Sequence, residues 1–422
     1  MYQHSIMRIV TLLACIALLA GCAGVRSLPS TDLSAQRFVG SGIHPDSGGP
    51  WLCGQTPRAR AHAASVEPAT KDYDSLYDFK AGNHDGGLPY GNLTLYKGNF
   101  YGTTDQGGTS GWGTVFEITP AGKEKVLYSF AGKPDPAYPC DGLTLVKDAF
   151  YGTAQTGGAY GWGAVFSVTP QGQERVVYSF RGGRDAAVPY AGVTYLNGKL
   201  YGTTVEGGKY GWGAIFEIAG GKERVLYDFK AGTKDGAYPY SKLIAIKNVL
   251  YGTTMAGGNP GWGTIFRCTI AGKEHLVYSF KGGPDGAYPF DALTEMNGKL
   301  YGTTKEGGKV GWGTVFAATT AGKERVVYSF KGGNKDGAYP YAGLTPFKGA
   351  LYGTTINGNP ANWGTVFAVT PAGRETILYN FKAGGDGAYP FARLIADKDT
   401  LYGTTEGGGY SLGWGTVFSI TP

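Results

Sequence analysis

Two residue types recur at a fixed spacing, and each could build a binding site. Seven of the eight Trp residues precede a Gly at the same position of a repeat of about fifty residues, and an indole presented once per repeat could stack on sugar rings. Seven Asp residues each stand four residues before a Pro, and carboxylates gathered at one surface could hold a cation or a basic partner. The Trp series comprises Trp112, Trp162, Trp212, Trp262, Trp312, Trp363 and Trp414. The Asp series comprises Asp85, Asp135, Asp185, Asp235, Asp285, Asp336 and Asp386.

Both series also have a purely structural interpretation. A Trp that fills the space between neighbouring repeats must occur once per repeat, and the sequence favours this packing role over a binding role. An Asp ahead of Gly or Pro is common in turns because its carboxylate accepts hydrogen bonds from nearby backbone N–H groups. Calcium would need more oxygen ligands at fixed spacing than these segments offer.

Catalytic residues are sparse. The repeats contain two histidines, His84 and His275, which the repeat phase assigns to opposite faces of the fold. The sequence contains no Gly-x-Ser-x-Gly nucleophile motif, and its histidines and cysteines have no metal-ligand spacing. We therefore predict no enzyme activity, no cofactor and no metal site.

Four sequence blocks recur in order and define the elements that must position these residues. A Tyr-Gly-Thr block, a Trp-Gly pair, a Tyr-x-Phe block and an Asp-x-x-x-Pro segment follow one another from residue 72 to residue 422. Each repeat is typical of four short strands separated by turns, predicted in the third repeat at 192–196, 199–204, 214–218 and 224–229. Asn197-Gly198 is a favoured two-residue hairpin turn.

Four strands in about fifty residues are typical of a propeller blade, so the fold class is predicted as an all-β, seven-bladed β-propeller. The last repeat stops before its fourth strand, and the first repeated element, 76–79, is such a strand. We predict that it completes the last blade, so that no blade edge is left open. In this arrangement the Asp and Trp segments share one face, with the Asp segments near the central channel.

The combination of Tyr-Gly-Thr-Thr, Gly-Trp-Gly-Thr-Val-Phe, Thr-Pro-Ala-Gly-Lys-Glu and Asp-Gly-Ala-Tyr-Pro resembles the bacterial Gloeo/Verruco (GloVer) tandem-repeat family. The resemblance covers residues 72 to 422 and rests on four ordered blocks. It implies an exported repeat protein with a propeller-like fold, and it implies no particular activity.

The N-terminus is predicted to direct export. Residues 1–21 have the charged start and short apolar stretch of a signal peptide, and Leu19-Ala20-Gly21-Cys22 resembles a bacterial lipobox. We predict lipidation of Cys22, a flexible tether over 22–71 and the propeller over 72–422. Ala23 favours sorting to the outer membrane, so the predicted location is the bacterial cell envelope, with the lipid as the only membrane attachment.

The loops between Tyr-Gly-Thr and Trp-Gly vary from repeat to repeat, whereas the framework does not. Seven identical sugar pockets would repeat their polar residues, so this variation favours a single uneven surface. We predict a monomeric surface binding scaffold for an envelope protein or polysaccharide. A lectin-like carbohydrate binder and a polysaccharide-cleaving enzyme remain as alternatives. A net charge of +6 without any basic run argues against nucleic acid as a partner.

Overall fold

The computed structural model describes residues 73–358, 360–409 and 413–422. These residues form seven four-stranded antiparallel sheets arranged as a seven-bladed β-propeller, together with two short 3-10 turns, Gly333–Lys335 and Gly384–Asp386. The predicted fold class is therefore confirmed. The predictions for the signal peptide 1–21, Cys22 and the tether 22–71 lie outside the described residues. No helix in the described ranges has the length and apolarity needed to cross a lipid bilayer.

Each blade has four strands, named a to d from the axis outward, and a strands of neighbouring blades contact each other. The a strands are Thr94–Tyr96, Thr144–Val146, Thr194–Leu196, Ile244–Ile246, Thr294–Met296, Thr345–Phe347 and Ile395–Asp397. The b strands are Asn99–Thr104, Ala149–Ala154, Lys199–Thr204, Val249–Thr254, Lys299–Thr304, Ala350–Thr355 and Thr400–Thr405. The c strands are Thr114–Ile118, Ala164–Val168, Ala214–Ala219, Thr264–Thr269, Thr314–Ala318, Thr365–Val369 and Thr416–Ile420. The d strands of blades 1 to 6 are Glu124–Ser129, Glu174–Ser179, Lys222–Asp228, Glu274–Ser279, Glu324–Ser329 and Glu375–Asn380.

The fourth strand of the last blade comes from the start of the described chain. Tyr73–Asp78 pairs antiparallel with Thr416–Ile420, with Tyr73 opposite Ile420 and Asp78 opposite Thr416. The strand thus begins three residues earlier and ends one residue earlier than the predicted 76–79. Val417 of blade 7 packs in the same buried cluster as Phe100 of blade 1, so the first and last blades share a core.

The connections divide the propeller into two faces. The upper face carries the d–a and b–c connections, and the lower face carries the a–b and c–d turns. On the upper face, each d–a segment pairs with the b–c loop of the blade that it enters. Five of these pairings are two-stranded ladders, such as Gly236–Ala237 with Ala256–Gly257, and two are single bridges, Ala287 to Glu306 and Ala388 to Gly407. On the lower face, Asn197 and Gly198 both have positive φ (51° and 80°), as the predicted hairpin turn requires.

The recurring Gly and Phe are explained by close packing within each blade. In blade 3, a Cβ added to Gly202 would lie 2.4 Å from Cζ of Phe216 on the adjacent c strand. All seven blades repeat this contact, and each such Phe is fully buried. The Tyr-Gly-Thr block therefore needs its Gly because the Phe ring occupies the space of a side chain.

The recurring Thr residues join neighbouring blades. In blade 3, Thr203 Oγ1 donates to the carbonyl of Ser241 in blade 4 at 2.9 Å, and the equivalent bond recurs in every blade, including Thr404 to Gly91 between the last blade and the first. The next Thr bonds within the blade, as Thr254 Oγ1 does with Thr264 Oγ1 at 2.7 Å. These buried hydroxyls are satisfied, so the blades are held by polar as well as apolar contacts.

Candidate functional site

The Trp series lies on the upper face, where the carbonyl of each Trp accepts a backbone N–H from the d–a segment that enters the next blade. Five members keep 37–45% of their surface exposed, from Trp112 and Trp312 at 37% to Trp162 at 45%. Five indoles pack edge-on against the Tyr of the next Asp-x-x-x-Pro segment, as Trp212 does with Tyr238 at 5.2 Å between ring centroids. The Trp residues therefore pack against the neighbouring blade while part of their surface stays exposed, and both the packing role and the binding role remain predictions. Trp363 and Trp414 are half-buried.

Blades 2 and 3 carry an aromatic and basic patch on this face. Tyr160 and Tyr210 are 50% and 43% exposed, each two residues before its Trp. The Arg181 guanidinium lies 5.6 Å from the Tyr160 ring centroid, and Lys209 and Lys230 lie 5.2 and 6.0 Å from that of Tyr210. The b–c loops of blades 1, 4 and 5 have Ser110, Pro260 and Val310 at the position of these Tyr residues. We call the set Tyr160, Trp162, Arg181, Tyr210, Trp212 and Lys230 the aromatic–basic patch.

The Asp series closes the d–a loops. Asp235 accepts the backbone N–H groups of Lys230 (2.9 Å) and Gly236 (2.7 Å), and the Tyr227 hydroxyl donates to it at 2.8 Å. All seven members accept a backbone N–H from four or five residues earlier. Their oxygens are therefore occupied by the loop that they organise, and a role in ligand binding stays a prediction.

The two histidines of the repeat region belong to different blades. His84 is exposed in the d–a loop before blade 1, and His275 is exposed on the d strand of blade 4. In the described part of the chain, no three His, Cys, Asp or Glu side chains are grouped so that they could hold a metal ion. Cys268 is a buried free thiol, and burial raises its pKa to about 12, so it is protonated at neutral pH.

The upper end of the axis is covered by aromatic rings that follow the Pro of six d–a segments, whereas Cys140 follows the Pro of the segment that enters blade 2. Tyr240 stacks on Phe290 with ring centroids 4.6 Å apart, and the chain of contacts continues through Tyr341 and Phe391 to Tyr90. We call these residues, together with Tyr190, the aromatic layer. Directly beneath it lies a cavity of about 50 Å³.

Two acidic side chains from neighbouring blades meet beside this layer. Asp105 of blade 1 is fully buried, and its Oδ2 has no hydrogen-bond partner among the described residues. Glu406 of blade 7 is also buried and accepts the Tyr90 hydroxyl at 2.5 Å. Burial, reinforced by the negative charge of Glu406, raises the pKa of Asp105 to about 8. Asp105 is therefore predominantly protonated at neutral pH.

A charged layer follows further down the axis. Asp141 and Asp291 bind backbone N–H groups of two blades each, while Lys242 and Arg393 extend into the channel from blades 4 and 7. The sequence analysis did not identify these four residues. The sequence did contain a signal for Lys242 and Arg393, because the other repeats have Asn, Gly or Ala at the equivalent position.

With this geometry described, the relatives of the chain can be stated. The family model of the Gloeobacter/Verrucomicrobia repeat matches residues 65–159, 146–359 and 333–422. No curated protein matches the chain. Among solved structures, a protein of Bacteroides uniformis titled as a candidate 6-phosphogluconolactonase is 14% identical with a TM-score of 0.47, the match covering 72% of this chain and 88% of that one. A gluconolactonase from Xanthomonas campestris is 10% identical with a TM-score of 0.43, covering 83% and 89%. Both TM-scores lie below 0.5, so these activities belong to those proteins alone.

Proposed function

The chain belongs to the Gloeobacter/Verrucomicrobia repeat family, and we propose that it is an exported, lipid-anchored binding scaffold that holds its partner on the upper face of the propeller. The observation that carries the proposal is the aromatic–basic patch of blades 2 and 3. Its Tyr and Trp side chains are 38–50% exposed although they are large and apolar, and aromatic side chains and Arg are enriched at binding surfaces.

The chemistry of the patch favours an acidic protein partner. Arg181 and Lys230 give it positive charge, Lys209 adds a further cation beside Tyr210, and none of the ion pairs within 4.0 Å among the described residues involves these three side chains. The rings supply apolar contact area with little loss of side-chain entropy. A partner with acidic and apolar side chains would satisfy both features.

A cross-linking experiment tests this proposal. A photo-activated cross-linker replaces Tyr210 in the full chain, and the matched control places it at Tyr195, which is 42% exposed but lies on an a strand next to its lower hairpin. We expect one dominant protein adduct from position 210 that is lost in Arg181→Glu/Lys230→Glu and absent from position 195. Equal adducts from both positions, or none from either, would exclude the scaffold proposal.

A carbohydrate-binding function is the second candidate, favoured by the half-exposed indoles. Five indoles keep 37–45% of their surface exposed, and in blades 2 and 3 a second exposed ring lies two residues before the Trp. Trp fluorescence of the full chain, titrated with a neutral and an acidic polysaccharide, tests it. Saturable quenching that Trp212→Ala removes, while Tyr195→Ala retains it, would favour carbohydrate binding over a protein partner. An unresponsive spectrum would exclude it.

Export and lipid attachment are proposed from the sequence of residues 1–22. Globomycin, which blocks lipoprotein signal cleavage, tests them in a bacterial host, and Cys22→Ser is the matched variant. We expect the uncleaved precursor to accumulate and fatty-acid labelling to be lost. A mature, labelled protein in both cases would contradict the proposed anchor.

A further inference from the structure

Two cations in the central channel have few hydrogen-bond partners. Lys242 Nζ donates to Thr144 Oγ1 at 2.7 Å, and Arg393 Nε makes a long contact of 3.4 Å with Thr345 Oγ1. Both hydroxyls donate their own protons to carbonyls of the next blade, so they act as acceptors toward the cations. The remaining donors of the ammonium and of the guanidinium have no described protein acceptor.

The carboxylates nearby do not neutralise these cations by direct contact. Asp141 accepts the backbone N–H groups of Gly142 and Gly192, and Asp291 those of Ala292 and Gly343, all at 2.6 Å. None of the ion pairs within 4.0 Å in the described residues joins either Asp to Lys242 or Arg393. Lys242 and Arg393 are half-buried, and a cation that is partly withdrawn from water without an ion pair is stabilised when it binds an anion or water.

A cavity adjoins Arg393 and opens toward the lower face. Its volume is about 430 Å³, and its wall combines the apolar side chains of Ile244, Ile246 and Pro346 with polar groups. Exposed Lys247 and Glu295 lie at its rim. The aromatic layer covers the opposite end of the axis, so a ligand would enter from the lower face.

We propose that this axial cavity binds a small organic carboxylate. The carboxylate group accepts hydrogen bonds from the Arg393 guanidinium, with Lys242 as a second positive charge on the same layer of the channel. The hydrocarbon part of the ligand lies against Ile244, Ile246 and Pro346. This apolar wall favours an organic acid over inorganic phosphate or sulfate, which would leave the wall without contacts. The site is separate from the upper-face binding function and does not depend on it.

Calorimetric titration of the full chain with acetate, butyrate and hexanoate tests the proposal. We expect the affinity to rise roughly fourfold for each added methylene, as burial of hydrocarbon predicts. Arg393→Gln should weaken hexanoate binding roughly 10-fold to 100-fold, the range for hydrogen bonds to charged groups, and Arg393→Lys should weaken it less. Arg374→Gln removes an exposed arginine from a c–d turn and should leave binding unchanged.

Three results would overturn the proposal: no binding of any carboxylate, equal affinity along the series, or preferred binding of phosphate or sulfate. If Arg393→Gln does not fold, Ile244→Phe provides the second variant, because it narrows the cavity without removing a charge. It should weaken hexanoate binding more than acetate binding, and an equal effect on both would also contradict the assignment.

Discussion

The contacts between blades repeat around this propeller, whereas the residues along its central axis do not. Between blades the same contacts recur seven times, including the Gly–Phe packing of Gly202 with Phe216 and the Thr203-type bond to the next blade. Along the axis, equivalent positions hold different chemistry: Lys242 and Arg393 stand where other blades have Asn, Gly or Ala. The repeated contacts hold neighbouring blades together in the ring, whereas the unrepeated residues make the blades chemically different from one another along the axis.

This difference shows how a repeat protein can be interpreted. A residue that recurs in every blade meets the same neighbours each time, and a structural role is sufficient to explain its recurrence, as the backbone hydrogen bonds of the Asp series illustrate. A residue that departs from the pattern at a buried position needs another reason. Asp105, Glu406, Lys242 and Arg393 are departures of this kind, and the upper-face patch of blades 2 and 3 is the exposed equivalent.

The largest expected effect comes from breaking the repeated core. Phe266 is fully buried and packs edge-on against Phe229 at 5.1 Å. Phe266→Ala should lower the free energy of unfolding by about 3–5 kcal/mol because it leaves a cavity at a blade junction. Denaturant unfolding followed by circular dichroism measures it. Leu276→Ala, at a 38% exposed position of the same blade, is the control and should change stability far less; similar losses would contradict the assigned core.

The next effect concerns the Asp series. Asp235→Ala removes an acceptor from two backbone N–H groups and a Tyr hydroxyl, so we expect a loss of about 1–3 kcal/mol. Asp399→Asn is the control, because Asp399 has an 80% exposed side chain whose described contact is a surface ion pair with Lys348, and it should change stability by about 0–1 kcal/mol. Chemical denaturation of both variants measures the two changes in stability. If Asp235→Ala were as stable as the wild-type protein but bound a ligand less well, the Asp series would instead belong to a ligand-binding site.

Stability should fall as the pH rises from 5 to 8.5. Burial, reinforced in each case by an Asp of the neighbouring loop, raises the pKa of Glu124, Glu174, Glu274 and Glu375 to about 7 and that of Glu223 and Glu324 to about 8. The folded protein therefore binds more protons than the unfolded chain, and this stabilisation, complete below pH 4.5, is lost as the pH passes 7 to 8.

Calorimetric melting temperatures across this pH interval measure the effect. Glu324→Gln removes one of the titrating groups and should flatten the profile, whereas Glu295→Gln, at an exposed position, serves as the control and should not. A melting temperature that rises from pH 5 to 8.5 would show that these carboxyl groups titrate normally.

The smallest change in stability is expected at the buried acidic pair of Asp105 and Glu406. Asp105→Asn replaces a carboxyl group that is protonated at neutral pH by a neutral group of the same shape, so stability at pH 6.5 should change by less than about 1 kcal/mol. At pH 9 the wild-type protein must hold a buried charge next to Glu406, so the variant should gain stability relative to it. Urea midpoints at both pH values test this, and an equal loss at both would mean that the pair has another partner.

The sequence was sufficient to predict the fold because the same strand and turn signals occur in all seven repeats. The Tyr-Gly-Thr and Trp-Gly blocks predicted the strand count, the blade count and the Asn197-Gly198 turn, and the strand bounds of blade 3 differ from the predicted ones by a few residues. The N-terminal strand was predicted at 76–79 but runs from Tyr73 to Asp78, because its pairing is set by the c strand of the last blade, at the other end of the chain.

The candidate sites could not be fully predicted from the sequence, because a site depends on which side chains lie close together in space. A repeat pattern does not contain that information. The sequence assigned the Trp and Asp residues to one face, but only the tertiary structure decided that Trp162 stays 45% exposed and that the oxygens of Asp235 are occupied by their own loop. Sequence alone likewise could not bring Lys242 of blade 4 and Arg393 of blade 7 into one channel. Repetition determines what each blade is, whereas closure of the ring determines which unrepeated side chains meet at its axis.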